Sequence, residues 1–407
     1  MRSLHRRSLW LVPVVIALGG ADTCSLPSPT NHQIPSGQGY TDVSPHQIVR
    51  TSANVIYTVT PTCSDYPECP NNSIRVYKGN QAGTPTAFVE VDAAHAPGGG
   101  VGQPAVAIDG TNKIHVIWNK RTGSMRYATF DTATDLWSAT ESLGTSGWTD
   151  FGQGEEGTAI AIDASGTPHA VWSTRTGPNS RLRLKYARRL GGGWETAVDV
   201  ADVVDCNPAS DYCNAWHPTL AFTPTGELLL AWLNGTYDYV TDGRIRIRKR
   251  TVTGTWQASV ALAADAMTGI DQGPSMIVGT DGVAHITFCD TQNRIRYWYN
   301  DGSGWKGDKQ PASQQTHNPA LAIDLTNTVY IYGHGTPQGG LGGHGNNMYY
   351  FSKPSGGSWS AWTLYASGSI DSSASTRWSQ FFHYHPENLD ILYWADAYPN
   401  YLLVGVN

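Results

Sequence analysis

Apolar and polar residues alternate along short runs of this chain, and the runs come in pairs. From Gln103 to Trp118 the sequence reads QPAVAIDGTNKIHVIW: an apolar run with Val106 and Ile108, a polar turn at Asp109 to Asn112, and a second run ending in an aromatic residue. Period-two alternation broken by a short polar turn predicts a β-hairpin. The pattern returns from Gly157 to Trp172, from His217 to Trp232, from Gly273 to Phe288 and, more loosely, from Asn318 to Tyr332. Aligned on Pro104, Thr158, Pro218, Pro274 and Pro319, the spacings are 54, 60, 56 and 45 residues. A β unit repeated at that period predicts a propeller.

Each hairpin is followed by a third run (Ser124–Phe130, Arg181–Arg188, Arg244–Arg250, Arg294–Tyr299, Asn347–Ser352) and then a tryptophan (Trp137, Trp194, Trp256, Trp305, Trp359). Every unit therefore supplies strands A, B, C and a short D. A divergent first unit runs from His46 to Val91, and a last one comprises Trp378–His383, Leu389–Trp394 and Tyr401–Val406. The expected fold is all-β, a seven-bladed β-propeller of four-stranded antiparallel blades over residues 45–407. The last unit lacks a fourth strand. The segment 22–44 reads as a linker and ring-closing strand, with Tyr40–Ser44 the expected pairing stretch, because closure removes an open sheet edge.

Composition narrows the function. With 407 residues, 40% hydrophobic and 11% aromatic, the chain can bury a large core, which excludes disorder. A formal charge of −6 and no lysine-rich block argue against nucleic acid. Residues 1–21 read as an export signal: three arginines, the apolar run Leu9–Leu18, then Gly19-Gly20-Ala21. That run is too short for a permanent membrane helix, so the mature chain is expected to be secreted or periplasmic, without a transmembrane segment, and monomeric. Cys24 is disfavoured as a lipid anchor, since Ala21-Asp22-Thr23 makes a poor lipobox. Export also makes the cysteines disulfide candidates. Cys63 with Cys69 and Cys206 with Cys213 are the natural local pairings among three connectivities, and Cys289 reads as a buried thiol.

Turns between A and B and between C and D are short and glycine-rich, whereas the B–C and D–A connections are long. Long connections carry function, so the working face is expected there. Residues entering strand A would line that mouth: Gln103, Glu156, His217, Gln272, His317 and Arg377. Residues just past strand B would join them: Asn119, Ser173, Asn234, Asp290, His334 and Asp396. Histidines, carboxylates and an arginine suit acid–base work or the binding of sugar hydroxyls. The recurring tryptophans read as packing between sheets. His115, His169 and His285 share one register in strand B and are expected to be buried and satisfied by neighbouring backbone. No cofactor is predicted, and a structural metal is left open.

The sixth unit carries a more specific signal: His317-Asn318-Pro319-Ala320-Leu321, Tyr330-Ile331-Tyr332-Gly333-His334-Gly335, then Tyr349-Tyr350-Phe351-Ser352. It resembles the BNR-repeat-4-like propellers of the sialidase-like superfamily, a group that includes secreted polysaccharide lyases of the ulvan-degrading kind. There a His-Asn-Pro run opens one strand and a Gly-His follows the next. The match covers about one blade closely. The chain departs from the group in having Gln315-Thr316 where an acidic pair precedes the histidine. The sialidase marks, an Arg-Ile-Pro near the start and Ser-x-Asp-x-Gly-x-x-Trp boxes, are absent, as is the integrin-type calcium repeat.

The resemblance implies an enzyme acting on extracellular polysaccharide by β-elimination at a uronate, which needs a base, a proton donor and a cation for the enolate-like charge. His317 or His334 would be base or charge stabiliser, Arg377 or Arg121 the carboxylate clamp, and Tyr237 or Tyr239 the donor. Two alternatives stay open: a non-catalytic propeller binding glycan or protein through the same face, and a glycoside hydrolase using Glu155, Glu156, Asp290 or Asp396.

Overall fold

The computed structural model describes residues 30–33, 47–62, 73–79, 85–91, 102, 104–120, 123–145, 157–176, 181–201, 214–235, 243–266, 273–292, 294–308, 316–335, 347–367, 370–376, 381–382, 384, 389–395 and 401–406. They form antiparallel sheets only. Sheet 1 holds Ile48–Arg50, Ile56–Thr62, Ser73–Gly79 and Pro85–Val91. Sheet 2 holds Ala105–Ile108, Lys113–Lys120, Ser124–Asp131 and Glu141–Thr145, with Leu136–Trp137 paired to its third strand. Sheet 3 holds Thr158–Ile162, Pro168–Thr176, Arg181–Leu190 and Gly193–Trp194, with Val198–Asp199 as its extra strand. Sheet 4 holds Asn214–Phe222, Leu228–Gly235, Gly243–Arg250 and Val260–Ala266. Sheet 5 holds Ser275–Val278, Ala284–Cys289, Ile295–Asn300 and Trp305–Asp308. Sheet 6 holds Thr316–Ile323, Val329–Gly335, Asn347–Lys353 and Thr363–Ser367.

These six sheets are blades cut from continuous runs of chain. A composite sheet follows: Ile370–Thr376, Ile391–Ala395 and Tyr401–Val406, completed by Thr30–Gln33 in the register Thr30↔Val406 to Gln33↔Leu403. The expectation of a seven-bladed propeller of four-stranded blades is corrected accordingly. Six blades are consecutive in sequence, two of those carry a fifth strand, and the remaining sheet is assembled from both ends of the chain. The fifth strands arise because the D segment breaks in two: Leu136–Trp137 and Gly193–Trp194 pair at the turn, and a second piece pairs farther along strand C. The segment paired to the last strand is Thr30–Gln33; the expected Tyr40–Ser44 lies outside the described residues.

Period-two alternation buries one face of each sheet against the next, and the core is accordingly a series of layers between successive sheets. Val59, Ile74 and Val76 of sheet 1 meet Ile108, Val116 and Phe130 of sheet 2. Ile117 and Tyr127 of sheet 2 meet Ile160 and Trp172 of sheet 3, and the same holds onward to the last sheet, where Tyr332 and Tyr350 meet Leu389 and Ile391. The strand-end aromatics Trp118, Trp172, Trp232 and Phe288 are at most 1% exposed, in keeping with a packing role. Tight A–B turns set the hairpin registers. Asp109, Asp163 and Asp324 each accept backbone hydrogen bonds two and four residues on, an Asx-type turn. Asn112 and Asn327 take the left-handed φ values of 63° and 59° that such turns require.

The first sheet and the composite sheet are joined by a buried ion pair. Arg50 Nε donates to Asp390 Oδ2 at 2.8 Å and Nη2 to Oδ1 at 2.6 Å, with both side chains at most 1% exposed. Sequence pattern also predicts a strand over Trp378–His383, and this too is corrected. The inner strand of the last sheet is Ile370–Thr376, and Phe381 and Phe382 are not in a strand. Phe381 packs 5.8 Å from the Phe222 ring of sheet 4, while Phe382 and Tyr384 pack against sheets 1 and 2. Gly110 makes this close approach feasible, since a Cβ there would lie 2.8 Å from Phe382. These aromatics lie at the A–B turn end of the inner strands.

Candidate functional site

Two inner strands break their ladder at a proline. In sheet 4 the register runs Trp216↔Leu233 and then Thr219↔Ala231, so His217 and Pro218 are bulged. In sheet 6 it runs His317↔His334 and then Ala320↔Tyr332, so Asn318 and Pro319 are bulged. Proline cannot donate to a ladder, and the bulge is how a central strand accommodates it. His317 and His334 thus stand directly opposite each other at the loop end of sheet 6, and opposed residues of an antiparallel pair are close neighbours.

His217 and His317 are not equivalent. Counted from the bulge, His317 matches Trp216, and His217 matches Asn318. His217 takes a left-handed φ of 48° and stacks on Trp216 with ring centroids 5.3 Å apart and planes at 11°. It is buried between flanking blades: a Cβ on Gly157 would lie 2.8 Å from its Cα, and one on Gly273 2.8 Å from its Cβ. In this structure His217 is a wedge between sheets 3, 4 and 5.

Past strand B the structure brings several polar groups to the same end. Asn119, Ser173 and Asn234 are buried, and the Asn119 Oδ1 and Ser173 Oγ have no hydrogen-bond partner among the described residues. Gly102 makes room for Asn119, whose Oδ1 occupies the place of a Cβ at that position. Thr60, the corresponding strand end of sheet 1, is likewise buried, with an Oγ1 that has no partner among the described residues. The sequence pattern missed Thr60 because sheet 1 diverges from the repeat. Asp290 is occupied otherwise: its Oδ2 accepts from Arg294 Nε at 2.9 Å and Arg296 Nε at 2.8 Å, and its Oδ1 from the backbone of Gln292 and Arg294. That carboxylate closes a turn. Gln103, Arg121, Glu155, Glu156, Tyr237, Tyr239, Gln272, Arg377 and Asp396 lie outside the described residues, as do the export segment and Cys24, Cys63, Cys69, Cys206 and Cys213. Cys289 is buried at the end of its strand. Among the described residues no cluster of three or more His, Cys, Asp or Glu could hold a metal, and no helix is long and apolar enough to cross a membrane.

At the other end of strand B, the histidines in common register find side-chain partners and not the backbone partners expected. His115 Nδ1 lies 2.8 Å from the Tyr127 hydroxyl and its Nε2 3.1 Å from Asp109 Oδ2. His169 repeats this with Tyr186 at 2.8 Å and Asp163 at 3.4 Å. Burial works against the Asp109 charge, but hydrogen bonds from His115, Thr111 and the Lys113 backbone prevail and hold its carboxyl at about 2. Removing the imidazole strands both partners, so His115→Ala should lower stability by about 1–3 kcal/mol. A denaturant midpoint equal to that of the parent chain contradicts this role.

Burial lowers the His169 imidazole, and burial together with Lys353 lowers His285 to about 4. Both groups bind protons more readily when unfolded. Their contribution is therefore fully present above the ordinary imidazole value of about 6.5 and is lost as pH falls towards the folded value. For His285 the span from 6.5 to about 4 corresponds to roughly 3 kcal/mol. Asp109 acts at lower pH: its contribution, present above the ordinary value of 3.8, is lost as pH falls towards about 2. Urea midpoints should hence drop between neutral pH and pH values near 4 and drop further below. A flat profile across the first interval contradicts the buried neutral imidazoles.

No protein-family model matches the chain, and no curated protein is similar to it at a significant level. Solved structures are similar in fold. The lectin BP39L from Burkholderia pseudomallei superposes with a TM-score of 0.61 at 12% identity, covering 89% of this chain and 93% of that chain. The polysaccharide lyase Uly1 does so with a TM-score of 0.51 at 12% identity, covering 92% of this chain and 93% of that chain. Identities this low establish the propeller architecture.

Proposed function

We propose that the chain acts on an extracellular acidic polysaccharide at the loop end of its inner strands, cleaving by β-elimination at a uronate. The observation that carries this reading is the direct opposition of His317 and His334. β-Elimination removes the proton α to a carboxylate, and two histidines opposed on paired strands can divide the roles of base and charge stabiliser. The buried polar strand ends Thr60, Asn119 and Ser173 suit a hydroxyl-rich ligand, and Phe381 and Phe382 cap the far end. Arg377 or Arg121 would clamp the substrate carboxylate, and Tyr237 or Tyr239 would return a proton to the leaving oxygen. That lectins and a polysaccharide lyase share the architecture is compatible with a glycan ligand and does not choose between binding and cleavage.

A panel of uronate-containing polysaccharides tests the reading. Elimination leaves an unsaturated sugar end, so ultraviolet absorbance should rise with at least one of them. Retained binding without absorbance identifies a non-catalytic glycan-binding propeller. New reducing ends without absorbance identify a hydrolase.

A further inference from the structure

The turn end of sheets 5 and 6, opposite the site above, carries an incomplete copy of a side-chain arrangement that sheets 2 and 3 hold complete. In sheets 2 and 3 a strand-B histidine is held between a strand-C tyrosine and an A–B turn aspartate. The tyrosine is then covered by the next sheet. Trp194 meets the Tyr127 ring edge-on at 5.1 Å with Arg189 at 5.7 Å, and Trp256 meets Tyr186 at 5.1 Å with Arg250 at 5.4 Å. Sheet 5 keeps the histidine, tyrosine and tryptophan: His285 Nδ1 lies 2.6 Å from the Tyr297 hydroxyl, and Trp359 meets Tyr297 edge-on at 4.9 Å. It lacks the aspartate. Gly279 stands at that position, and the next sheet contributes Lys353 in place of an arginine.

The result is a cavity of about 410 Å³ lined by Asp281, His285, Tyr297, Tyr299, Asn327 and Lys353, among others. His285 is only 6% exposed, and its Nε2 is buried with no hydrogen-bond partner among the described residues. In the sister sheets that nitrogen faces the A–B turn carboxylate; here the turn residues Asp281 and Val283 line the cavity instead. The chain cannot supply the missing group from Gly279. A Cβ there would lie 2.5 Å from Asp281 Oδ1 and 2.8 Å from Asn327 Oδ1.

We infer that this cavity is a second ligand site, and that it takes a monocarboxylate bearing hydroxyl groups, of the chemical class of a uronic acid monosaccharide. With Tyr297 donating to Nδ1, Nε2 carries the hydrogen and needs an acceptor, and a ligand carboxylate stands in for the absent aspartate. The Lys353 ammonium supplies the opposite charge from a cage of rings, 5.9 Å from Tyr297, 5.6 Å from Tyr299 and 5.6 Å from Trp359. Asp281 Oδ2 is placed to accept from a ligand hydroxyl, whereas Asp301 is already paired with Lys306 at 2.7 Å and Asn327 Oδ1 accepts from Thr280. The Tyr299 ring gives a sugar an apolar wall. None of this depends on cleavage at His317 and His334.

Titration of the full chain with D-glucuronate, with D-glucose as the uncharged control, tests the site by calorimetry and by the imidazole ¹⁵N signals of His285. Glucuronate should bind saturably and shift the Nε2 signal, and glucose should bind at least about tenfold more weakly. Lys353→Met and His285→Gln should each weaken at least about tenfold the glucuronate binding that is read at the His285 signal. Lys353 is partly exposed, so Lys353→Met decides the matter if His285→Gln does not fold. Absence of saturable glucuronate binding, equal binding of glucose, or undiminished affinity in Lys353→Met overturns the inference.

Discussion

Asp390→Asn should destabilise the whole molecule by about 3–5 kcal/mol, the cost of leaving one member of a buried ion pair uncompensated. The Arg50 guanidinium is 1% exposed and makes two parallel hydrogen bonds to Asp390, at 2.8 and 2.6 Å. Neutralising the carboxylate leaves that charge without its counter-ion. Asn54 also accepts from Arg50 Nη1, at 2.5 Å to Oδ1, but an amide oxygen does not balance a charge. The pair links residues 340 positions apart, so its loss loosens the junction between the first sheet and the composite one. The double variant Arg50→Met with Asp390→Leu should recover most of the loss, because apolar residues of similar volume carry no desolvation penalty. Chemical denaturation of the two variants beside the parent chain measures both effects. A single variant with the parent's midpoint shows that the pair contributes nothing to closure.

His317→Ala and His334→Ala should each reduce formation of unsaturated product by a factor of about 10² to 10⁴, the range for loss of a general acid or base. Neither should move the denaturation midpoint by much, since both residues lie at the loop end of their strands. His115→Ala should show the reverse pattern, a stability loss with activity retained, because its imidazole is consumed by Asp109 and Tyr127. Full product formation in both alanine variants at residues 317 and 334 removes these histidines from the chemistry.

The local elements were legible in the chain because alternation and turn residues are local physics. Hairpins such as Ala105–Ile108 with Lys113–Lys120 follow from Val106, Ile108 and the Asp109 turn, and the opposition of His317 and His334 follows from hairpin geometry. What required the structure was non-local or depended on single-residue register. The bulge at Pro218 and Pro319 shifts equivalent positions by one, which separates His217 from His317 and makes a wedge of the former. The partners of His115 and His169 lie on the adjacent strand and in the turn, beyond what alternation specifies. Asp290 reads as a mouth residue until Arg294 and Arg296 are seen to hold it. Phe381 and Phe382 alternate like a strand but are drawn across the turn end by Phe222 and Gly110. The turn end looked uninformative in sequence because a glycine in place of an aspartate is visible only once Gly279, His285 and Tyr297 are aligned in space.

The pairing of Thr30–Gln33 with Leu403–Val406 also dictates an order of assembly. Each of the six consecutive blades closes hairpin by hairpin over short stretches of chain, at little entropic cost. The composite sheet joins segments from opposite ends, the most distant strand pairing among the described residues and by contact-order arguments the slowest to form. Folding should therefore pass through a state with most blades complete and the Tyr401–Val406 edge still unpaired. Such an edge can recruit the Thr30–Gln33 segment of a second chain as readily as its own, so refolding at high concentration should yield strand-exchanged oligomers that dilution suppresses.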